Sequence, residues 1–302
     1  MRRYIVSLVV GLSICSSWTS AQTRSIGINT RLIEDIVGVK GTVNSQERVF
    51  KVTFPRADVK VSVDGWSMKP FMGLTSWASF RKGSEKEAIV MGDLVLFEDE
   101  VNPVMSVALE SGLEVTALHN HFFFDSPKVY FMHIGGDGGL ETFAKAIRKT
   151  QDKIKEIRDV QTQPAKRFLG PGIPAASSIT GEDIEMTFGI KGQASDGMYK
   201  VVVGRTATMP CGCDAGKEMG VNTWAAFAGS PDTAVVDGDF AVLETELQSV
   251  LKSLRHHDIN VVAIHHHMVM EKPRYLFIHY WGKGPVKELA KALKNTLDVT
   301  AH

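Results

Sequence analysis

Five strings from the first half of this chain return, in the same order, in its second half. That repetition limits the fold more than any other feature. "GVKG" (38–41) returns as "GIKG" (189–192), "MGLTSWASF" (72–80) as "MGVNTWAAF" (219–227), and "GDLVLFEDE" (92–100) as "GDFAVLETE" (238–246). "ALHNHFFFDSPKVYFMHIGGDG" (117–138) returns as "AIHHHMVMEKPRYLFIHYWGKG" (263–284), and "FAKAIRKT" (143–150) as "LAKALKNT" (289–296). The spacing is nearly constant, so one unit of roughly 120 residues, an ordinary domain size, occurs twice in tandem. The first repeat unit reads as 30–158 and the second as 181–300. The linker, 159–180, is marked by the Pro, Gly and Ser content of "QTQPAKRFLGPGIPAASSIT".

Within each unit the local patterns alternate between two periods. "VFKVTFP", "VKVSV" and "MYKVVVG" are β-branched and alternating, which predicts strands, and "AIVMGDLVLF" continues in strand. "NPVMSVALESG" has apolar residues at helical spacing and ends on Gly112; "ELQSVLKSLRHHD" takes the same place in the second copy. "LEVTALHNHFF" and "KVYFMHIGG" read as two further strands, and "GLETFAKAIRKTQDKIKEI" as a long amphipathic helix. The expected class is α+β: two tandem homologous units, each an antiparallel sheet with helices packed on one face. Repetition also predicts that the units pack about a pseudo-two-fold axis, the chain acting as its own dimer. Trp77 and Trp224, with Phe80 and Phe227, are expected in the core.

Thirty-four basic and 34 acidic residues cancel, so no charge excess points to a nucleic-acid groove. Arg2 and Arg3 precede the apolar "YIVSLVVGLSIC", which is too short to span a bilayer, and "SWTSA" offers small residues before a cut after Ala21. Residues 1–21 are therefore expected to be a signal peptide, and the mature chain to be exported, periplasmic or extracellular, with no transmembrane span. Cys15 in "LSIC" offers lipid anchoring, but Ile14 is bulky where a lipoprotein box has a small residue, so a soluble exported form is favoured. After cleavage Cys211 and Cys213 remain in "MPCGC". Under oxidising conditions they either pair or serve, with Met209, as a soft site for copper or zinc.

The chemistry concentrates on histidine. Side chains alternate along a strand, so His119 and His121 share one face while Asn120 points away. If Asp125 to Pro127 forms a three-residue turn, Phe124 pairs with Lys128. His133 then lies opposite His119, and three imidazoles converge. The second copy repeats the pattern with His265, His267 and His279, with His266 facing away like Asn120. Three convergent imidazoles suit a transition metal, zinc first and copper second, and leave a position for water, substrate or a fourth ligand. Asp125 and Glu271 have the parity to be that ligand. Glu98 and Glu244, where a strand gives way to a helix, are alternatives as ligand or as catalytic general base. Asp93 and Asp239 are placed to orient an imidazole N–H. Histidines that are merely structural, or that make a pH-sensitive contact, are the competing expectation.

"KGTV", "FPRADV", "DEVNPVMSVALESGLEVTALHNHFF" and "YFMHIGG" resemble the LppY/LpqO-type family of exported bacterial proteins and lipoproteins, a domain of unknown function. The resemblance covers most of residues 30–300, and the positions of His119, His121 and His133 match the family pattern. It implies an exported location and brings no agreed activity. The resulting expectation is an exported metal-binding protein with a three-histidine site in each repeat, extended to a metal-dependent hydrolase acting on a small-molecule or envelope substrate. The alternative is a non-catalytic metal-handling or interaction protein of the cell envelope.

Overall fold

Twelve strands form one continuous antiparallel sheet, six from each copy. The computed structural model describes residues 26–300; the expected signal segment, with Cys15, lies outside the described residues. The first unit supplies β1 (Gly41–Asn44), β2 (Val49–Pro55), β3 (Thr75–Lys82), β4 (Ala88–Phe97), β5 (Glu114–Asn120) and β6 (Val129–Gly138). The second supplies β7 (Gln193–Ser195), β8 (Met198–Gly204), β9 (Asn222–Gly229), β10 (Ala234–Leu243), β11 (Asn260–His265) and β12 (Tyr275–Gly284). The order across the sheet is β1-β2-β3-β4-β6-β5-β11-β12-β10-β9-β8-β7. It is palindromic in equivalent strands. At its centre Leu118 of β5 pairs with Ile264 of β11, and these two residues are equivalent in the repeat. A pseudo-two-fold axis therefore passes through that pair, and each unit uses the other to pair an otherwise open edge.

Helices α1 (Thr30–Val37), α2 (Glu98–Glu110), α3 (Leu140–Val160), α4 (Glu182–Phe188), α5 (Leu247–His256) and α6 (Val286–Leu297) complete the α+β class. Alternation assigns the two faces of the sheet. In β4, Ala88, Val90, Leu94 and Leu96 join the helices in one apolar core that runs through both units. Asp93, Val95 and Phe97 point the other way; Val95 and Phe97 pack with Val59, Val61, Leu74, Val129 and Phe131. The second copy has its own cluster on that side, around Ala241, Tyr275 and Phe277. Phe80 and Phe227 are buried in the shared core as expected. Trp77 and Trp224 are not core residues: they are only half-buried, on the outer face, beneath the ammonium groups of Lys51 and Lys200 at 4.2 and 4.1 Å. Lysine stems can cover an indole this way without burying it. Among the described residues no helix is long and apolar enough to cross a membrane.

The two units are joined by a reciprocal clamp. Both β5 and β11 carry a bulge, between Val115 and Ala117 and between Val261 and Ala263. A bulge interrupts the ladder and leaves backbone groups to be satisfied elsewhere. Buried Asn102 of α2 donates to the Val261 carbonyl at 3.1 Å and accepts from the Val261 N–H at 2.8 Å. Gln248 of α5 makes the same pair of bonds to Val115, at 2.9 and 3.0 Å. Each helix thus finishes the hydrogen bonding of the other unit's bulged strand. Asn102→Ala should cost about 1–3 kcal/mol, because it strands two buried backbone groups. The urea midpoint measures this, and a loss under about 0.5 kcal/mol would show the clamp to be dispensable.

On the loop side of the bulge the hairpin differs from the expected one. His133 pairs with Ala117, and His119 with Phe131. The chain between β5 and β6 is not a three-residue turn: residues 121–128 make a longer excursion in which Asp125–Ser126 pairs with Ser62–Val63 in a small separate sheet. The observed register differs from the expected one by two residues. An even shift keeps every side chain on its face.

Candidate functional site

His119, at the end of β5, and His133, in the middle of β6, stand on the outer face of the sheet, with the Nε2 atoms 3.0 Å apart. Two imidazole nitrogens at that distance share one proton or face a common cation. His121 lies just beyond the strand and its ring centroid is 5.4 Å from that of His119. It stacks on Phe131 at 4.0 Å, so a buried phenyl ring serves as the floor that holds it. The second copy repeats this layout. His265 lies 5.0 Å from His267 and 4.6 Å from His279 by ring centroids, and His267 stacks on Phe277 at 3.5 Å. His266 is turned aside, its Nδ1 3.1 Å from the Tyr275 carbonyl oxygen.

A carboxylate completes each group. Asp93 is the cross-strand partner of His133, and Asp239 of His279. Asp239 Oδ2 lies 3.6 Å from His267 Nε2. Asp239 is buried, with only 2% of its surface exposed. Asp93 Oδ1, Asp239 Oδ1 and His265 Nε2 are buried without a hydrogen-bond partner. Burial pushes both carboxyls up, Asp239 to about 6, while the nearby imidazoles pull the other way. Burial, followed by the neighbouring imidazoles, holds His121, His265 and His267 below the usual histidine range. Neutral imidazoles have no proton to give up before accepting a metal. Among the described residues no three His, Cys, Asp or Glu side chains are arranged to hold a metal ion as they stand. The rings of each group share a face, with centroids about 5 Å apart.

The other expected ligands are engaged elsewhere. Asp125 accepts the Val129 N–H at 2.8 Å, and Glu271 accepts the Tyr275 N–H at 3.0 Å, so both fix the loop that re-enters the sheet, although Glu271 Oε2 is itself buried without a partner. Cys211 and Cys213 form a disulfide, with Cα atoms 5.5 Å apart, which removes the thiolate pair that a soft metal would need. Glu244 lies at the surface, 3.8 Å from Arg274. Glu98, by contrast, opens α2 and lines a cleft of about 360 Å³ together with His279 of the other unit. Burial pushes the Glu98 carboxyl up, opposed by the charge of Lys128. Asp237, Trp281, Tyr130 and Phe168 line the same cleft. None of these four stands out from sequence patterns alone. The usable signal is divergence between the repeats: Asp237 replaces Met91, and Trp281 replaces Gly135.

A family model described as Domain of Unknown Function (DUF1259) matches residues 31–153 and again 182–299. No curated protein matches the sequence. Two solved structures show a distant likeness. One is a trimeric bacterial microcompartment shell protein, PduB, at 10% identity over 86% of this chain and 89% of that one, with a TM-score of 0.21. The other is the double ringed trimeric shell protein MSM0271 from the RMM microcompartment, at 11% identity over 86% and 95%, with a TM-score of 0.18. At such scores neither likeness carries an argument.

Proposed function

Since the chain belongs, through both of its halves, to the DUF1259 family of unknown function, we propose its function from its own side chains: it is an exported metal-binding protein with one three-histidine, one-aspartate site per repeat. The observation that carries this reading is the pairing of clustered imidazoles with a carboxylate oxygen that is buried without a close partner, made in both copies. An uncompensated buried polar atom is costly, and a divalent cation between these groups satisfies all of them at once. Nitrogen-rich ligands with one carboxylate favour zinc, with copper next. The likeness to LppY/LpqO-type proteins and the apolar leader support export.

The second site extends the reading to a hydrolase. His265, His267, His279 and Asp239 would hold the ion, which when bound would supply Lewis-acid activation of a water. Glu98 faces the same cleft as His279 and would take the proton as general base. Glu244, paired with Arg274 at the surface, serves no such role.

Elemental analysis of the mature protein tests the metal reading: about two ions per chain, one per ligand set, falling to about one when His119 and His121 are both changed to Ala. A folded, native protein that takes up no zinc or copper on titration would overturn it. Assays on ester, phosphate and amide substrates then test the catalytic extension. Glu98→Gln should lower turnover by about 10²–10⁴-fold, whereas Glu244→Gln should leave it unchanged. Stoichiometric metal with no turnover of any of the three substrate classes would leave a metal-handling protein of the envelope in its place.

A further inference from the structure

The cleft beside His279 is built from both copies, and its lining has a one-sided chemistry. Glu98, Val101, Asn102 and Tyr130 come from the first unit, Phe168 from the linker, and Asp237, Val261, Val262, His279 and Trp281 from the second. Two of these side chains are carboxylates, and none is Lys or Arg. Asp237 and Trp281 are direct cross-strand partners, so a carboxylate and an indole sit side by side on one face. Trp281 is half-buried, which leaves part of its ring open to the cleft. Asn102 has one bond from each polar atom committed to Val261, which fixes its side chain in the cleft wall.

We propose that this cleft binds an organic cation, a substituted ammonium group seated against Trp281 and Tyr130 and neutralised by Asp237 and Glu98. Aromatic faces attract a cation through the negative centre of the ring, most strongly for Trp, and the gain rises as water is excluded. Carboxylates with no basic residue lining the same cleft make an anion unwelcome. A neutral sugar could stack on the indole, but it would leave the two negative charges uncompensated. In the first copy Met91 and Gly135 stand where Asp237 and Trp281 stand in the second, so the carboxylate–indole pair occurs once per chain. The proposal shares the neighbourhood of the second metal site but does not need the metal.

Titration calorimetry with benzyltrimethylammonium, on the intact mature protein after removal of metal with EDTA and again after reloading with zinc, tests it. The expected result is a single class of site, one per chain, present in the metal-free protein and weakened by added salt. Benzoate and methyl glucoside should give no comparable heat. Asp237→Asn should weaken ammonium binding about tenfold, and Trp281→Leu by a similar factor, in variants whose melting curve and circular dichroism match the parent. Absence of ammonium binding, equal binding of the glucoside, or full affinity retained in both variants would overturn the proposal. The two readings fail separately. A chain that binds ammonium but no zinc removes the metal site alone; one that binds zinc but no ammonium removes the cation cleft alone.

Discussion

Glu100→Ala should destabilise the protein by about 3–5 kcal/mol, a large share of the roughly 5–15 kcal/mol that holds a domain folded. Glu100 is fully buried at the start of α2 and accepts two bonds from Arg56, at 2.8 and 2.9 Å. It also accepts the Phe97 N–H at 2.9 Å, closing the first turn of the helix, and lies 3.0 Å from Arg158 Nε. Arg158 is itself buried and pairs with Asp99; the Arg56 guanidinium stands 4.7 Å from the centre of the Phe97 ring. Glu100 thus lies within ion-pair distance of both buried guanidinium groups, while Arg56 also holds Asp58 through two bonds of 2.9 and 2.8 Å. Truncating it leaves Arg56 with only Asp58 and the Val95 carbonyl, and Arg158 with only Asp99, so the penalty comes from two under-compensated buried charges more than from the lost attraction. The second copy has the simpler pair Arg205–Glu246, at 2.6 Å, with Glu246 accepting the Leu243 N–H in the same way. Glu246→Ala should therefore cost less, because one guanidinium rather than two faces it and Arg205 keeps some access to water. Urea unfolding of the two variants beside the parent decides the matter. A Glu100→Ala loss below about 1 kcal/mol would show that the surroundings relax enough to let water reach Arg56.

How far the sequence alone leads to the site depends on which physical rule is asked. The period of two along a strand put His119 and His133 on one face, and likewise His265 and His279, because parity survives any even error in register. The register differs by two residues from the one a three-residue turn implies, because the detour through Asp125–Ser126 leaves no clear mark in hydrophobic alternation. Glu98 and Glu244 look equivalent as letters in a repeat. They part in the structure because one faces a cleft closed by the other unit, while the other meets Arg274 at the surface. That cleft exists only once β5 pairs with β11, and a pairing between edges of different units has no local signature. The tryptophans misled for a related reason: a strand pattern reports that a residue sits on a face, not whether that face is covered by helices or by a lysine.

If each site is a cation site, Asp239→Asn should weaken zinc binding in the second unit by about 10–100-fold and leave the first unit's affinity unchanged. Asp239 is almost inaccessible, Oδ1 is buried without a close hydrogen-bond partner, Oδ2 lies 3.6 Å from His267 Nε2, and the backbone N–H groups of Ile278 and Phe240 offset only part of the cost of burial. A carboxylate in that position costs stability in the metal-free protein. It regains that loss when a cation binds, either by direct ligation or by fixing the orientation of the imidazole. Asparagine keeps the shape and loses the charge, so the metal-free variant should be at least as stable as the parent while its gain on adding zinc shrinks. A hundredfold loss of affinity corresponds to about 2.7 kcal/mol less stabilisation at saturating zinc. Asp93→Asn should do the same for the first unit alone, since the two carboxylates sit at equivalent positions in separate ligand groups. The contrast separates the alternatives. Histidines that were only structural would give no zinc-dependent stabilisation in the parent, and hence nothing for either variant to lose. Unaltered zinc affinity in both variants would assign the ions to imidazoles alone and leave the buried carboxylates without a role in holding them.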